Sequence, residues 1–393
     1  MMSKELVILA AQRTPIGAFQ GVFNSVTCPQ LGAAAIRAAV ADSGVAIDKI
    51  DEVIMGCVLM AGQGQAPARQ ASLGAGLSNS VPTTTINKMC GSAMKAVMIA
   101  CDQLQADNAN VIVAGGMESM TNAPYLLPKA RGGYRMGHGE IIDHMFYDGL
   151  QSPYDGKMMG HFADATAAKY GFTRDQQDAF ASESVRRAQQ AVANTAFNDE
   201  IASVTFKTRK GDKIVSIDET PGACDISKIS TLKPAFNKEG TVTAASSSSI
   251  SDGAAALVVS TSGYARQQGH APIARIIAYS SHAHEPEWFT TAPGAAIKKV
   301  LSKAQWKVSD VDLFEINEAF ACVTMAAMHD VGIDHTKVNI NGGACALGHP
   351  IGATGARILT TLIYALKARS LKRGIASLCI GGGEAVAMAV EIS

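Results

Sequence analysis

Short apolar runs alternate along most of this chain with stretches in which apolar residues recur at helical spacing. Runs that suit buried strands lie at 6–11, 111–114 and 375–380. Apolar residues repeat every three or four positions at 94–101 and again at 351–366. Strands that alternate with helices are typical of α/β proteins. The pattern therefore predicts a layered α/β/α fold, doubly wound about a mostly parallel sheet.

The two ends of the chain resemble copies of one another. Residues 45–56 and 308–317 share the pattern of a helix, an aspartate-marked turn and a strand. Residues 111–118 and 377–384 both run from a buried-type strand into glycines and a glutamate. The offset stays near about 260 residues, which favours duplication over chance. We therefore expect two similar halves, formed by residues 1–120 with 245–270 and by residues 271–393.

The middle of the chain, residues 121–244, loses this pattern and is predicted to be an inserted loop domain. Residues 122–164 are rich in Gly, Pro, Tyr and Met, whereas 173–194 predict an amphipathic helix with Thr173 as its N-cap. A polar stretch at 204–217 indicates a hairpin. Long ordered insertions are usually functional. We expect this one to contribute to ligand binding, together with the serine-rich loop that follows it.

Composition excludes several classes of protein. The 393 residues are 47% hydrophobic and 17% charged with zero net charge, so nucleic acid is not an expected partner. No apolar run approaches the roughly 18 residues of a membrane span, and the first residues lack the features of a signal peptide. The eight cysteines are scattered singly, which suggests neither a zinc site nor a disulfide framework. A cytoplasmic location fits best.

Three reactive side chains lie in turns rich in small residues. Cys90 is predicted between a strand and a helix, where the positive helix end can lower a thiol pKa from about 8.5 to between roughly 3.5 and 7.5. Cys379 lies near the end of a buried-type strand that runs into three glycines, and His349 precedes Pro350 at the start of another helix. Each alone is more often structural. Their shared placement instead indicates a catalytic site.

These segments together resemble the thiolase family along the whole chain. Asn87-Lys-Met-Cys90-Gly-Ser, Asn317-Glu-Ala-Phe, Gly348-His349-Pro-Ile-Gly and Cys379-Ile-Gly-Gly-Gly are similar to the four motifs of that family, in its order. The resemblance implies that Cys90 accepts the acyl group, that His349 activates its thiol, and that Cys379 exchanges a proton with the α-carbon of acetyl-CoA. A thiol can take that role because its pKa lies near the operating pH, where catalytic efficiency peaks. The resemblance also implies two oxyanion holes, one from His349 and a water held by Asn317, the other from the N–H groups of Cys90 and Gly381.

The same resemblance suggests the substrate. It implies reversible condensation of two acetyl-CoA to acetoacetyl-CoA and CoA, with coenzyme A as substrate and product and neither a metal nor a tightly bound cofactor. Expected substrate contacts are Ser248, Phe236, Phe320, Met158 and Phe289. Met158 stands where short-chain biosynthetic relatives commonly carry His, whereas the bulk of Phe289 favours short acyl chains. A degradative 3-ketoacyl-CoA thiolase of broader chain length therefore remains the alternative.

Other functions fit the sequence less well. A ketoacyl synthase would need His or Asn where Cys379 stands. A non-catalytic CoA-binding relative would have lost a catalytic residue, and a simple Cys/His hydrolase would not need the second thiol.

The loop at 125–139 resembles the tetramer-forming region of thiolases, so we expect a homotetramer.

Overall fold

A mixed sheet of ten strands runs through the protein, for which a computed structural model describes residues 4–393. The strands are β1 (Leu6–Arg13), β2 (Gly17–Ala18), β3 (Glu52–Gly56), β4 (Thr83–Ile86), β5 (Val111–Ser119), β6 (Tyr125–Leu126), β7 (Ile142–Asp143), β8 (Val204–Thr208), β9 (Gly211–Val215), β10 (Ser251–Thr261), β11 (Ala274–Ala283), β12 (Leu313–Ile316), β13 (Arg373–Ile380) and β14 (Glu384–Ile392). The helices are α1 (Cys28–Ser43), α2 (Pro67–Gly74), α3 (Ser92–Gln105), α4 (Met159–Tyr170), α5 (Arg174–Ala193), α6 (Glu219–Ala223), α7 (Ser262–Gln268), α8 (Ala292–Ala304), α9 (Ala321–Val331), α10 (Ala344–Leu347) and α11 (Thr354–Ala368).

The strand order in the sheet is β4-β3-β5-β10-β1-β11-β14-β13-β12, with β2 beside β10. Only β3 with its two neighbours and β12 with β13 pair in parallel, whereas every other pair in this sheet is antiparallel. The expectation of a mostly parallel sheet is therefore wrong. Strands buried on both faces are continuously apolar in either direction, so the hydrophobic pattern alone could not distinguish the two arrangements.

The duplication is visible in the strand order, because β3-β5-β10-β1 from one edge mirrors β12-β13-β14-β11 from the other. Equivalent aspartates make equivalent bonds in the two halves. The carboxylate of Asp51 accepts from the N–H groups of Asn110 and Val111, and that of Asp312 accepts from those of Lys372 and Arg373. Each aspartate thereby fixes the start of one strand against its parallel neighbour.

Helices α3 and α11 pack together between the two halves of the sheet, while α1 and α2 cover the outer face of one half and α8 and α9 that of the other. Alternate residues of β5 serve the two faces, as Ile112 faces the central helices and Val113 the outer ones. The central helices approach so closely that a Cβ on Gly355 would lie 2.4 Å from the backbone nitrogen of Met94. The sequence prediction of a layered α/β/α fold is confirmed.

Residues 120–250 separate β5 from β10 and contain α4, α5, α6 and the small hairpins β6–β7 and β8–β9. Thr173 is the N-cap of α5 and forms a capping box with Gln176, as the sequence predicted. This segment is held to the sheet by buried Arg13 at the end of β1. The guanidinium donates to the carboxylate of Asp218 at 2.7 and 2.9 Å and to that of Glu200. Both acidic residues belong to the inserted segment.

Within residues 4–393, none of the helices combines the length and apolar character that a membrane span requires.

Replacing Arg13 with Leu should lower the free energy of unfolding by about 3–5 kcal/mol, because Glu200 and Asp218 would remain buried without their partner. Urea unfolding followed by circular dichroism measures the change. Arg275→Leu is the matched control, since Arg275 pairs with Glu5 and Glu391 in a largely exposed setting and should cost at most about 1 kcal/mol. Equal losses in the two variants would contradict the assigned role of Arg13.

Candidate active site

Cys90 lies in a tight turn between β4 and α3. Met89 adopts the left-handed conformation with φ of 47°, which is rare for a residue other than glycine. Ser92 stabilises the turn, because its hydroxyl accepts from the N–H of Lys88 at 2.9 Å and donates to the carbonyl of Met89 at 2.6 Å. Such local strain persists only where the surroundings enforce it, and it is common at functional sites. The turn holds the thiol of Cys90 just before the N-terminal end of α3.

His349 lies in the turn before α11, and its tautomer is fixed by Thr354. The Thr354 hydroxyl donates to the carbonyl of Pro350 at 2.9 Å, so it acts as acceptor for Nδ1 of His349 at 2.6 Å. Nδ1 therefore carries the proton and Nε2 has a free lone pair. The side-chain nitrogen of Asn317 lies 3.5 Å from Nε2. The imidazole is thus oriented as a proton acceptor.

Cys379 is fully buried near the end of β13, immediately before the glycine turn at 381–383. Gly382 and Gly383 have φ of 95° and 94°, which L side chains rarely adopt. A Cβ on Gly383 would also lie 2.4 Å from the carbonyl oxygen of His284. The N–H of Gly381 in this turn and the N–H of Cys90 itself both act on the Cys90 thiol and lower its pKa. Two donors therefore converge beside the thiol.

Asn317 and Glu318 follow β12 and are both buried. Oδ1 of Asn317 has no hydrogen-bond partner, whereas both carboxylate oxygens of Glu318 accept hydrogen bonds. The Glu318 carboxylate accepts from the Ser184 hydroxyl at 2.7 Å, the Asn339 amide at 2.8 Å and the backbone N–H of Cys345 at 3.0 Å. Glu318 therefore ties the loop that leads to His349 onto the end of β12, and it acts by positioning that loop.

The three turns open onto one mainly apolar cavity of about 220 Å³. Of the site residues predicted from sequence, all except Asn317 line it, and Asn317 lies behind His349. The lining therefore includes Cys90, His349, Cys379, Gly381, Ser248, Phe236, Phe320, Met158 and Phe289. Phe236 and Phe320 meet edge to face at 5.9 Å, and Phe289 packs likewise on Phe162 at 6.2 Å. The aromatic rings form a wall of the cavity.

Sequence reasoning missed a further part of the wall. Phe146, Gly149 and Leu150 come from a π-helical turn at Met145–Leu150, and Met159 and Gly160 begin α4. This part of the chain had no clear periodicity. The glycine at position 160 was the one signal in this part of the sequence. The structure explains it, because a Cβ there would lie 2.2 Å from the ring of Phe236.

Burial governs the protonation of the site and contradicts two expectations. Burial raises the pKa of the Cys90 thiol to about 11, although the N–H groups of Gly381 and Cys90 act in the opposite direction. Burial also raises the pKa of Cys379 well above its ordinary value, and lowers that of His349 to about 3. The predicted thiolate at Cys90 and the near-neutral pKa of Cys379 are therefore both wrong for the ligand-free site. Desolvation outweighs the helix N-terminus, so all three groups are neutral near pH 7.

Lys88 and Glu384 join two of the turns across the halves of the molecule. Lys88 lies two residues before Cys90, Glu384 follows the glycine turn, and their side chains form a partly buried ion pair at 2.5 Å. This bond fixes the spacing between the Cys90 turn and the turn that carries Gly381.

Comparison with known proteins agrees with this arrangement. The sequence matches the description "Thiolase, N-terminal domain" over residues 6–263 and "Thiolase, C-terminal domain" over residues 270–392. The chain belongs to the thiolase family. The family resemblance inferred from the four motifs is thus confirmed.

Several full-length relatives of this thiolase are named acetyl-CoA acetyltransferase. That of Cupriavidus necator is 47% identical over 389 residues, covering 98% of this chain and 99% of the relative. That of Escherichia coli K12 is 47% identical over 390 residues, covering 99% of each. The crystal structure of the Bacillus anthracis acetyl-CoA acetyltransferase superposes with a TM-score of 0.97 at 41% identity, covering 100% of this chain and 99% of that one.

Alkylation of Cys90 in this thiolase should accelerate about tenfold per pH unit from pH 7 to above pH 9, because the thiol with a pKa of about 11 remains mostly protonated throughout. Short pulses of iodoacetamide followed by peptide mass spectrometry measure the rate at Cys90. Glutathione provides the comparison, and its rate should level off near an ordinary thiol pKa of about 8.5. A plateau for Cys90 below about pH 8 would show a stabilised thiolate instead.

Proposed function

We propose that this thiolase is an acetyl-CoA C-acetyltransferase, which condenses two acetyl-CoA to acetoacetyl-CoA and CoA and also catalyses the reverse thiolysis. The observation that carries this proposal is the convergence of Cys90, His349 and Cys379 on one small apolar cavity. The names of relatives at 45–47% identity over nearly the whole chain support the same activity.

The first half-reaction transfers an acetyl group to Cys90. Nε2 of neutral His349 takes the thiol proton as the Cys90 sulfur attacks the thioester carbon, so Cys90 does not have to be a thiolate before the substrate binds. The N–H groups of Cys90 and Gly381, which both act on the Cys90 sulfur, would donate to the oxyanion of the tetrahedral intermediate. When the intermediate collapses, the carbon–sulfur bond to CoA breaks and acetyl-Cys90 remains.

The neutral state of Cys379 suits the next step. As CoA departs, its thiolate takes the proton of Cys379, and the resulting Cys379 thiolate is the base for the second acetyl-CoA. The proton taken from Cys90 stays on His349, whose Nε2–H then donates to the carbonyl oxygen of that second substrate as its enolate forms. The base and the oxyanion donor are thus created together by the first half-reaction.

Asn317 would complete the donor set for the enolate. Its buried Oδ1 has no partner, and a water that donates one O–H to Oδ1 keeps its other O–H for the enolate oxygen. The enolate carbon then attacks acetyl-Cys90, the bond between that carbonyl carbon and the Cys90 sulfur breaks, and His349 returns its proton to Cys90. Cys379 keeps the proton removed from the α-carbon, so the enzyme is restored.

A second cavity of about 340 Å³ would bind the body of coenzyme A. It is lined by residues from 220–232 and 244–249, and it shares Ser247 with the first cavity. Lys228 lines this cavity together with Asp225, with which it forms an ion pair at 3.3 Å, so it would exchange that partner for a phosphate of coenzyme A. Ser248 lies between the two cavities and donates its hydroxyl to the carbonyl of Ala319 at 3.0 Å. We infer no metal or tightly bound cofactor in the reaction.

The size of the first cavity favours short acyl chains. Phe289 is only 3% exposed and packs on its aromatic neighbour, so a longer chain could enter only by displacing it. Met158 lies at the start of α4 in the same wall. A degradative thiolase of broader chain length is the alternative that the substrate series below separates.

We further propose a cytoplasmic homotetramer in which residues 121–244 bind CoA and contribute subunit contacts, with 1–120 plus 245–270 and 271–393 as the two halves. Large apolar side chains are exposed along 125–141, including Tyr125, Leu127 and Met136, and an interface would cover them. All eight cysteines are free, which fits a reducing compartment.

CoA-dependent thiolysis should be fastest with acetoacetyl-CoA in a series of 3-ketoacyl-CoA substrates and should fall steeply with chain length, because the cavity is small. Cys90→Ala should abolish turnover, and Cys379→Ala should lower kcat by about 100- to 10,000-fold. Cys101→Ala is the control, since Cys101 is buried in α3 outside the cavity.

Equal turnover of longer chains would favour the degradative alternative. Binding of CoA without turnover of any substrate would leave a CoA-binding relative and contradict the catalytic proposal.

Thr354→Val should lower kcat about 10- to 100-fold with little change in KM. Nδ1 of His349 would lose its hydrogen-bond acceptor, and Nε2 would then no longer be held in its orientation toward the substrate. Steady-state kinetics with acetoacetyl-CoA measure both constants. Thr354→Ser should restore most of the rate. Thr360→Val is the matched control on the same buried helix, where the lost hydroxyl bonds only to Ala356. A similar loss in both valine variants would assign the effect to packing rather than to His349.

A further inference from the structure

A second cluster of reactive side chains lies outside the catalytic cavity. Cys28 is the first residue of α1, Cys57 directly follows β3, and Glu118 lies near the end of β5. These residues are only 2%, 0% and 0% exposed. The two sulfurs are 3.8 Å apart, and the Cys57 sulfur is 3.6 Å from a carboxylate oxygen of Glu118. The potential ligand atoms all lie within 4.8 Å of one another.

Two of these separations, sulfur to sulfur and Cys57 sulfur to Glu118 oxygen, match the edges of a zinc tetrahedron, and the third pair, Cys28 and Glu118, lies within 4.8 Å. With zinc–sulfur bonds of about 2.3 Å and zinc–oxygen bonds of about 2.0 to 2.2 Å, tetrahedral angles place two sulfurs about 3.8 Å apart and sulfur and oxygen about 3.5 Å apart. An ion could therefore be held with little movement of the three side chains. This arrangement could not be predicted from the sequence, because the ligands come from three separated elements.

Gln63 supplies a candidate fourth ligand and a route to solvent. Its amide nitrogen lies 3.4 Å from the Cys57 sulfur and 2.8 Å from the carbonyl oxygen of Leu59. Its oxygen Oε1 is buried without a hydrogen-bond partner. Gln63 is only partly buried, between exposed Gly62 and Gly64. Rotation of its amide, or a water in its place, would complete four-coordination.

The surroundings can balance the negative charge of such a site. One oxygen of Glu118 accepts from the N–H groups of Val58 at 3.0 Å and Gly352 at 2.8 Å, and the other accepts from that of Leu59 at 3.1 Å. Cys28 lies at the positive N-terminal end of the 16-residue helix α1. Both sulfurs are then stabilised as thiolates once their protons have been released to solvent and replaced by the cation.

We propose that Cys28, Cys57 and Glu118, with Gln63 or a water as fourth ligand, form a binding site for a thiophilic divalent cation of the zinc class. The ion would tie α1, β3 and β5 together. It would also stiffen the loop after His349, because Glu118 bonds the backbone of Gly352. We assign the site a structural role, because its three side chains are buried and lie outside the catalytic cavity.

The test uses the full-length protein with Cys90→Ala and Cys379→Ala, which removes the thiols of the catalytic cavity as competing ligands. After chelation, Zn²⁺ alone is titrated by calorimetry, and Cd²⁺ is added separately to detect sulfur-to-metal charge-transfer absorption. The expected result is one ion per chain, with an absorption intensity that corresponds to two thiolates.

Cys57→Ala added to this background should weaken Zn²⁺ binding at least about 100-fold, whereas Cys101→Ala should not. Cooperative thermal unfolding of the metal-free Cys57→Ala protein verifies that it is folded, and Zn²⁺ should raise the Tm only where Cys28 and Cys57 are both present. Absence of binding in the unchanged site, binding without the charge-transfer band, or binding that survives Cys57→Ala would each overturn the proposal. If Cys57→Ala does not fold, the Cd²⁺ spectrum of the unchanged site still tests whether two thiolates bind the ion.

Discussion

The close approach of α3 and α11 is the constraint on which the rest of the structure depends. No room exists for a Cβ at Gly355 against Met94, and a Cβ at Gly116 would lie 2.0 Å from the carbonyl oxygen of Gly352. Glycine is the only residue that permits this distance between the two halves. Because Cys90 precedes one helix and His349 the other, the contact brings both residues to the cavity that Cys379 also lines.

Desolvation determines how this site can work. A buried thiolate or imidazolium would be costly, and the structure accordingly favours neutral Cys90, Cys379 and His349. Charge then arises only in the presence of substrate, when protons pass between these groups and the thioester. Fixed groups, namely the N–H groups beside Cys90 and the amide oxygen of Asn317 that would hold a donating water, provide the compensation that bulk water cannot. Preorganised dipoles, rather than a permanently activated nucleophile, are what this scaffold supplies.

Much of this arrangement could be read from the sequence, and the failures have physical causes. The cap of α5 at Thr173 and the strand–helix turn at Cys90 depend on local chemistry, so they were predictable. Strand direction in the sheet, the thiol pKa values and the meeting of Cys28 with Cys57 depend on tertiary burial. The wall around Phe146 was missed because a π-helical turn has no periodicity in its apolar residues that distinguishes it from a loop.

The duplicated sheet has a consequence for the origin of the molecule. The Cys90 turn belongs to the first half, whereas His349 and Cys379 belong to the second, so neither half contains a complete set of reactive groups. An ancestor of half this length could have assembled such a site only by pairing two identical chains, which would have created two equivalent sites related by symmetry. Fusion into one polypeptide freed the two copies to diverge. One half could then specialise in holding the nucleophile, and the other in moving protons.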